Sequence, residues 1–176
     1  GGVAQQVLSV SGTEIQLRTV GVIPTSCANI NCSGVGVTNI ETGDSATAAI
    51  GWVYVVPKAL ITNVSPNGGP QAGNTTVNIS GQNFESPVEV TFTISGSVFN
   101  AAVVSVSAGL VVVKSPAVPD SVFTTQPCDV DADGTNGAQK IPTAATVKIT
   151  NLITGCSDDF ANSFTYTPTS SACVGD

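Results

Sequence analysis

Apolar side chains recur at every second position in short runs along this chain, and turn-forming residues break the runs. Ile61-Thr62-Asn63-Val64-Ser65 alternates and stops at Pro66-Asn67-Gly68-Gly69-Pro70, a dense turn signal. Residues 75–80 alternate again, with Val77 and Ile79 on one face, and end at Gly81. Residues 88–94 form a third alternating run, and 103–107, 110–113, 145–150 and 162–167 complete a set of about seven short strands. A period of two is that of a half-buried strand, and no stretch sustains the 3.6-residue period of a helix. Short strands punctuated by turns at this spacing predict an antiparallel β-sandwich.

The pattern also repeats itself. Val7-Leu8-Ser9-Val10-Ser11-Gly12 returns 96 residues later as Val103-Val104-Ser105-Val106-Ser107-Ala108. The same offset carries Glu14 to Arg18 onto Leu110 to Lys114, and Cys32 onto Cys128. Further on the offset becomes 112: Val35-Gly36-Val37-Thr38-Asn39 matches Val147-Lys148-Ile149-Thr150-Asn151, and Trp52-Val53-Tyr54 matches Phe164-Thr165-Tyr166. Two gap-free blocks indicate a duplicated module. The change of offset predicts a gain of 16 residues in the second copy, just after Cys128.

The residues of the second copy resemble a known family. Ile61-x-x-Val64-x-Pro66-x-x-Gly69-Pro70, followed by Gly73-Asn74-Thr75-x-Val77-x-Ile79-x-Gly81 and then Phe84, is similar to the opening signature of the IPT/TIG family. Phe164-Thr165-Tyr166-Thr167-Pro168 resembles that family's closing motif. The resemblance covers about 60–168 as a full module and about 1–57 as the C-terminal part of another. It implies an all-β fold: immunoglobulin-like antiparallel β-sandwich repeats, one complete and one partial. It also implies a spacer or interaction module, as in surface receptors, bacterial adhesins, polysaccharide-degrading enzymes and some transcription factors.

The domain expectation is therefore a partial repeat over 1–57, a complete repeat over 58–168 with an Asp-rich insertion at about 129–144, and a linker or tail over 169–176. A half-sandwich in water exposes apolar side chains and unpaired edges. Residues 1–57 are thus expected to borrow strands, either from preceding sequence or from another copy by strand addition. Donation between copies would build a head-to-tail filament.

Composition narrows the setting. Charged residues make up 10% of the chain, with 12 acidic against 5 basic and a net charge of −7. Such a surface repels phosphate backbones and anionic lipid heads, so no nucleic-acid partner is expected, and no DNA-binding loop like those of the transcription factors is present. No apolar run reaches the ~18 residues of a membrane-spanning helix, so membrane insertion is not expected. Five cysteines without a C-x-x-C pair favour disulfides over a thiolate zinc site, which places the chain in an extracellular or cell-surface setting.

The insertion carries Asp129-Val130-Asp131-Ala132-Asp133-Gly134-Thr135. Carboxylates at alternate positions followed by glycine resemble the start of a calcium loop, in which side chains converge on one hard cation. Lys140 stands where such a loop places its bidentate glutamate. Cys156 has no counterpart in the first copy, where Asp44 takes its place, and that copy also lacks the insertion. A Cys128–Cys156 disulfide is therefore expected to anchor the loop and bring Asp158 or Asp159 to it. The expected metal set is Asp129, Asp131, Asp133, Thr135, Asp158 and Asp159, with a surface turn as the plain alternative. Cys27 and Cys32 are expected to form a local disulfide, or one of them to reach the missing half. Cys173 is then left unpaired or intermolecular.

The chain contains no histidine, which excludes Ser-His-Asp, Cys-His and histidine–metal chemistry. Asp158 and Asp159 are adjacent and would face opposite sides of a strand, a poor arrangement for glycosidase work. The expected function is non-catalytic: an extracellular structural or adhesive protein, a repeat segment of a surface rod or self-assembling filament. Its partners would be neighbouring repeats or copies of itself. The alternative is an accessory or carbohydrate-binding module of a secreted polysaccharide-acting enzyme.

Overall fold

A computed structural model describes residues 5–18, 26–32, 34–49, 52–129, 136–170 and 173. The chain divides into two units, Gly1–Val56 and Pro57–Asp176. Strands dominate both, and among the described residues there is no α-helix, only a 3-10 turn at Asp120–Val122.

The first unit holds β1 (Gln6–Val10), β2 (Ile15–Arg18), β3 (Ile30–Cys32), β4 (Val35–Thr38), β5 (Ser45–Ala48) and β6 (Trp52–Tyr54). They pair antiparallel in three two-stranded ladders, β1 with β2, β3 with β6 and β4 with β5.

The second unit holds β7 (Leu60–Ser65), β8 (Gly68–Pro70), β9 (Thr76–Gln82), β10 (Val88–Ile94), β11 (Ser97–Asn100), β12 (Ala102–Ser107), β13 (Leu110–Lys114), β14 (Thr125–Asp129), β15 (Asn136–Lys140), β16 (Thr143–Asn151) and β17 (Ser157–Thr167). One sheet has the order β12-β13-β9-β7 and the other β11-β10-β16-β17-β8. The alternation read from the sequence becomes the inner faces of these sheets. Ile61, Val77, Ile79, Val111 and Val113 come from the first, and Val90, Phe92, Ile94, Val147, Ile149, Phe164 and Tyr166 from the second. This is an immunoglobulin-like sandwich. At its centre Phe92, Phe164 and Tyr166 meet edge to face, with ring centroids 5.0 to 6.1 Å apart, a geometry the aromatic quadrupole favours.

Gly81 marks a close approach that only hydrogen permits. A Cβ there would collide with the Leu60 carbonyl and the Phe84 ring. That contact lies beside the bulge between Ile61 and Asn63, where β7 shifts register on β9.

Two features depart from the alternation pattern. The stretch read as a turn, Pro66 to Pro70, turns and then pairs: Gly68, Gly69 and Pro70 lie parallel to Thr165, Tyr166 and Thr167. Short strands β8 and β11 carry too little sequence to show a period, and only the neighbouring strand makes them strands.

The two units share ladder registers. In the first unit Gln6 faces Arg18, Val7 faces Leu17, Ser9 faces Gln16 and Val10 faces Ile15, with a bulge between Val7 and Ser9. In the second, Ala102 faces Lys114, Val103 faces Val113, Ser105 faces Val112 and Val106 faces Val111, with the bulge between Val103 and Ser105. Val35 to Thr38 against Ser45 to Ala48 likewise reproduces Val147 to Thr150 against Ser157 to Phe160. Gly43 and Gly155, at φ 77° and 70°, close the equivalent turns and donate to Asn39 and Asn151. One correspondence needs correction. Cys32 faces Trp52 and Ala145 faces Phe164, so Cys32 is equivalent to Ala145 and not to Cys128. The extra residues of the second unit therefore fall between Lys114 and Thr143, where they form the hairpin β14–β15.

Candidate functional site

Asp129 ends β14 opposite Asn136, while Asp131, Asp133 and Thr135 lie outside the described residues. Asp158 and Asp159 sit on β17 opposite Ile149 and Lys148. Oδ2 of Asp158 accepts the backbone N–H of Ile61 at 2.7 Å, which gives this carboxylate a structural task between the two sheets. Asp159 is exposed. Among the described residues no three acidic, cysteine or histidine side chains cluster as a metal site.

The cysteine expectations change. Cys128 is bonded to Cys173, with Cα atoms 5.9 Å apart. Cys128–Cys156 is thus not formed, and Cys173 is not free. The reason lies in the length of β17. Its 11 residues span about 35 Å, with Cys156 just before one end and Cys173 beyond the other. Cys128 can reach only one of them. Cys156 is wholly buried at the β16–β17 turn, its N–H on Thr154 Oγ1, and both Cys156 and Cys27 are disulfide-bonded. The Cys32 side chain lies outside the described residues, and so does the expected Cys27–Cys32 bond. The expected route by which Asp158 or Asp159 would reach the acidic segment, the Cys128–Cys156 bond, is thus not formed.

The hairpin is stapled to the tail by a polar cluster as well as by the disulfide. Asp120 is held at 2.7 Å by Lys140 Nζ and accepts from Gln71 Nε2 at 2.6 Å. Gln71 Oε1 in turn accepts the N–H of Thr169 at 2.9 Å. The bonds from Lys140, and then from Gln71, hold the Asp120 carboxyl below its ordinary pKa. Lys140, which stands where a calcium loop would offer glutamate, serves this ion pair. The sequence held no signal for Gln71 or Asp120; their meeting depends on the crossing of distant loops.

A shallow polar groove lies between β7 and β17, lined by Asn63, Asn67, Phe160 and Asn162 among others. Phe160 is 38% exposed there.

In the first unit, apolar positions that the second unit buries are partly exposed. In the second unit, β13 pairs with β9 and β16 with β10, and Val111 and Ile149 are 0% exposed. Their register equivalents, Ile15 and Val37, are 37% and 38% exposed. Strands β2 and β4 each have one partner among the described strands.

No curated protein matches the chain. The IPT/TIG domain family matches residues 59–149, just over half of the chain. The match opens at the start of β7 and closes within β16, so it takes in the whole first sheet and the second apart from β17 and the end of β16. The chain belongs to the IPT/TIG domain family.

Proposed function

We propose that this chain is a non-catalytic segment of an extracellular structural or adhesive protein, in which repeated modules extend a surface rod or filament. The observation that carries this reading is the duplicated ladder register, bulge for bulge and turn for turn. Repeated sandwiches joined in series suit a spacer, because each adds length without new chemistry. Disulfides at Cys27, Cys128, Cys156 and Cys173 support an oxidising compartment. Electron microscopy of the native material tests the reading: extended rods or regular filaments are expected, and isolated compact particles would overturn it.

Calcium belongs to the same proposal. In the sequence the alternating Asp129, Asp131 and Asp133 follow Cys128, which is fixed to Cys173, and a cation bound there would stiffen the module's end. Calcium is expected to raise the melting temperature, and Asp131→Asn with Asp133→Asn to remove that rise. An unchanged melting temperature with calcium in the parent chain sinks the metal site.

The second reading, a carbohydrate-binding accessory module, is favoured by the groove that sets the half-exposed Phe160 ring beside Asn63, Asn67 and Asn162. Aromatic faces flanked by amides suit sugar rings. Binding on a glycan array that Phe160→Ala abolishes would support it over the rod.

A further inference from the structure

We infer that the first unit is the acceptor half of a sandwich, closed by a donor segment built like residues 60–100 and joined to Gln6 in the same polypeptide. The inference rests on the repeat reading above and names the partner of its incomplete module.

The second unit shows what such an acceptor takes. There β9 lies along β13, from Leu110 opposite Ser80 to Lys114 opposite Thr76, and β10 lies along β16, from Val88 opposite Asn151 to Thr93 opposite Thr146. These donor strands point Val77, Ile79, Val90, Phe92 and Ile94 into the core, and none is more than 1% exposed. The equivalent edges of the first unit are those of β2 and β4. They carry the same ladders and bulge but have no such neighbours among the described residues. Ile15, Leu17, Val35 and Val37 stand where Val111, Val113, Val147 and Ile149 are buried. The fitting occupant is therefore a strand pair with β-branched or aromatic residues at every second position, adding by backbone ladder and apolar burial together.

A second copy of the chain does not supply it. Each copy offers two acceptor halves and a single donor half, and that donor is already buried in its own sandwich. At any stoichiometry, donation between copies closes one acceptor by opening another. The register favours a donor in the same polypeptide, because in the second unit β11 ends at Asn100 and β12 begins at Ala102. Donor and acceptor there are separated by a single residue, so their effective concentration is high.

Amide hydrogen exchange tests this on the 176-residue chain and on a version with an added copy of residues 58–101 fused ahead of Gln6. In the parent chain, amides of 15–18 and 35–38 should exchange far faster than those of 111–114 and 147–150, which report that the complete unit is intact. The fused donor should slow the first set by at least about 100-fold, and Val77→Asp with Ile79→Asp in the added copy should cancel the effect. Slow exchange at those edges in the parent chain overturns the inference, as does protection that appears only with rising protein concentration. Protection by free peptide 58–101 but not by the fused segment would overturn the same-polypeptide source. Compact particles by microscopy would defeat the rod while leaving the exchange result intact, so the two ideas fail separately.

Discussion

The carboxylate of Asp158 accepts the backbone N–H of Ile61 at 2.7 Å, joining β17 of one sheet to the outermost strand of the other. Ile61 adjoins the bulge that interrupts the β7–β9 ladder. An edge strand leaves N–H groups available to foreign strands, and a charge from the facing sheet occupies this one. Replacing Asp158 by Ala should cost about 1–2 kcal/mol, the value of a charge-assisted bond at a half-exposed position. Asp158→Asn, which keeps the acceptor oxygen, should recover much of that loss. Urea denaturation of the two variants checks the prediction, and equal losses would mean the contact contributes little.

The Cys128–Cys173 bridge closes a loop with a sequence separation of 45. Chain-entropy arguments give such a crosslink about 4 kcal/mol at 25 °C as an upper figure. Cys173→Ser should therefore lower stability by about 2–4 kcal/mol and loosen the tail beyond Thr169, while the core rings keep their near-ultraviolet signal. If the variant denatures at the parent's midpoint, the bridge adds no stability.

Tyr166 is fully buried, and its hydroxyl donates to the Pro116 carbonyl at 3.1 Å. Burial pushes its pKa well above the ordinary tyrosine value. The sign follows from the unfolded chain, where the same phenol ionises near pH 10. Below that pH both states hold the proton and stability is unaffected. Above it the unfolded state alone loses the proton, so stability falls as pH rises toward the folded-state value. Tyr166→Phe should cost about 1–2 kcal/mol at neutral pH through the unpaired carbonyl, and flatten the decline above pH 10. A decline as steep as the parent's would assign the alkaline sensitivity to another group.

Much of the fold was legible because alternation is a local signal. The alternating runs at 61–65 and 88–94 became strands β7 and β10 with nearly those limits, and the short apolar run 110–113 became β13. The offsets of 96 and 112 likewise have counterparts in the ladders, where β1–β2 has the register of β12–β13 and β4–β5 that of β16–β17. Cysteine pairing was not legible. The pairing of a new cysteine with a new loop, Cys128 with Cys156, ignored the intervening length of β17, which sets Cys156 and Cys173 at opposite ends of a strand.

The sequence by itself determined most of the longer strands and the all-β class, because side-chain period and turn chemistry act over a few residues. Only the tertiary structure decided which cysteine Cys128 meets, that Asp158 serves the Ile61 amide, and that Gln71 and Asp120 fasten the tail. Those contacts join residues far apart in the chain. Their distances depend on how two sheets stack and where long strands end, and no local pattern carries that information.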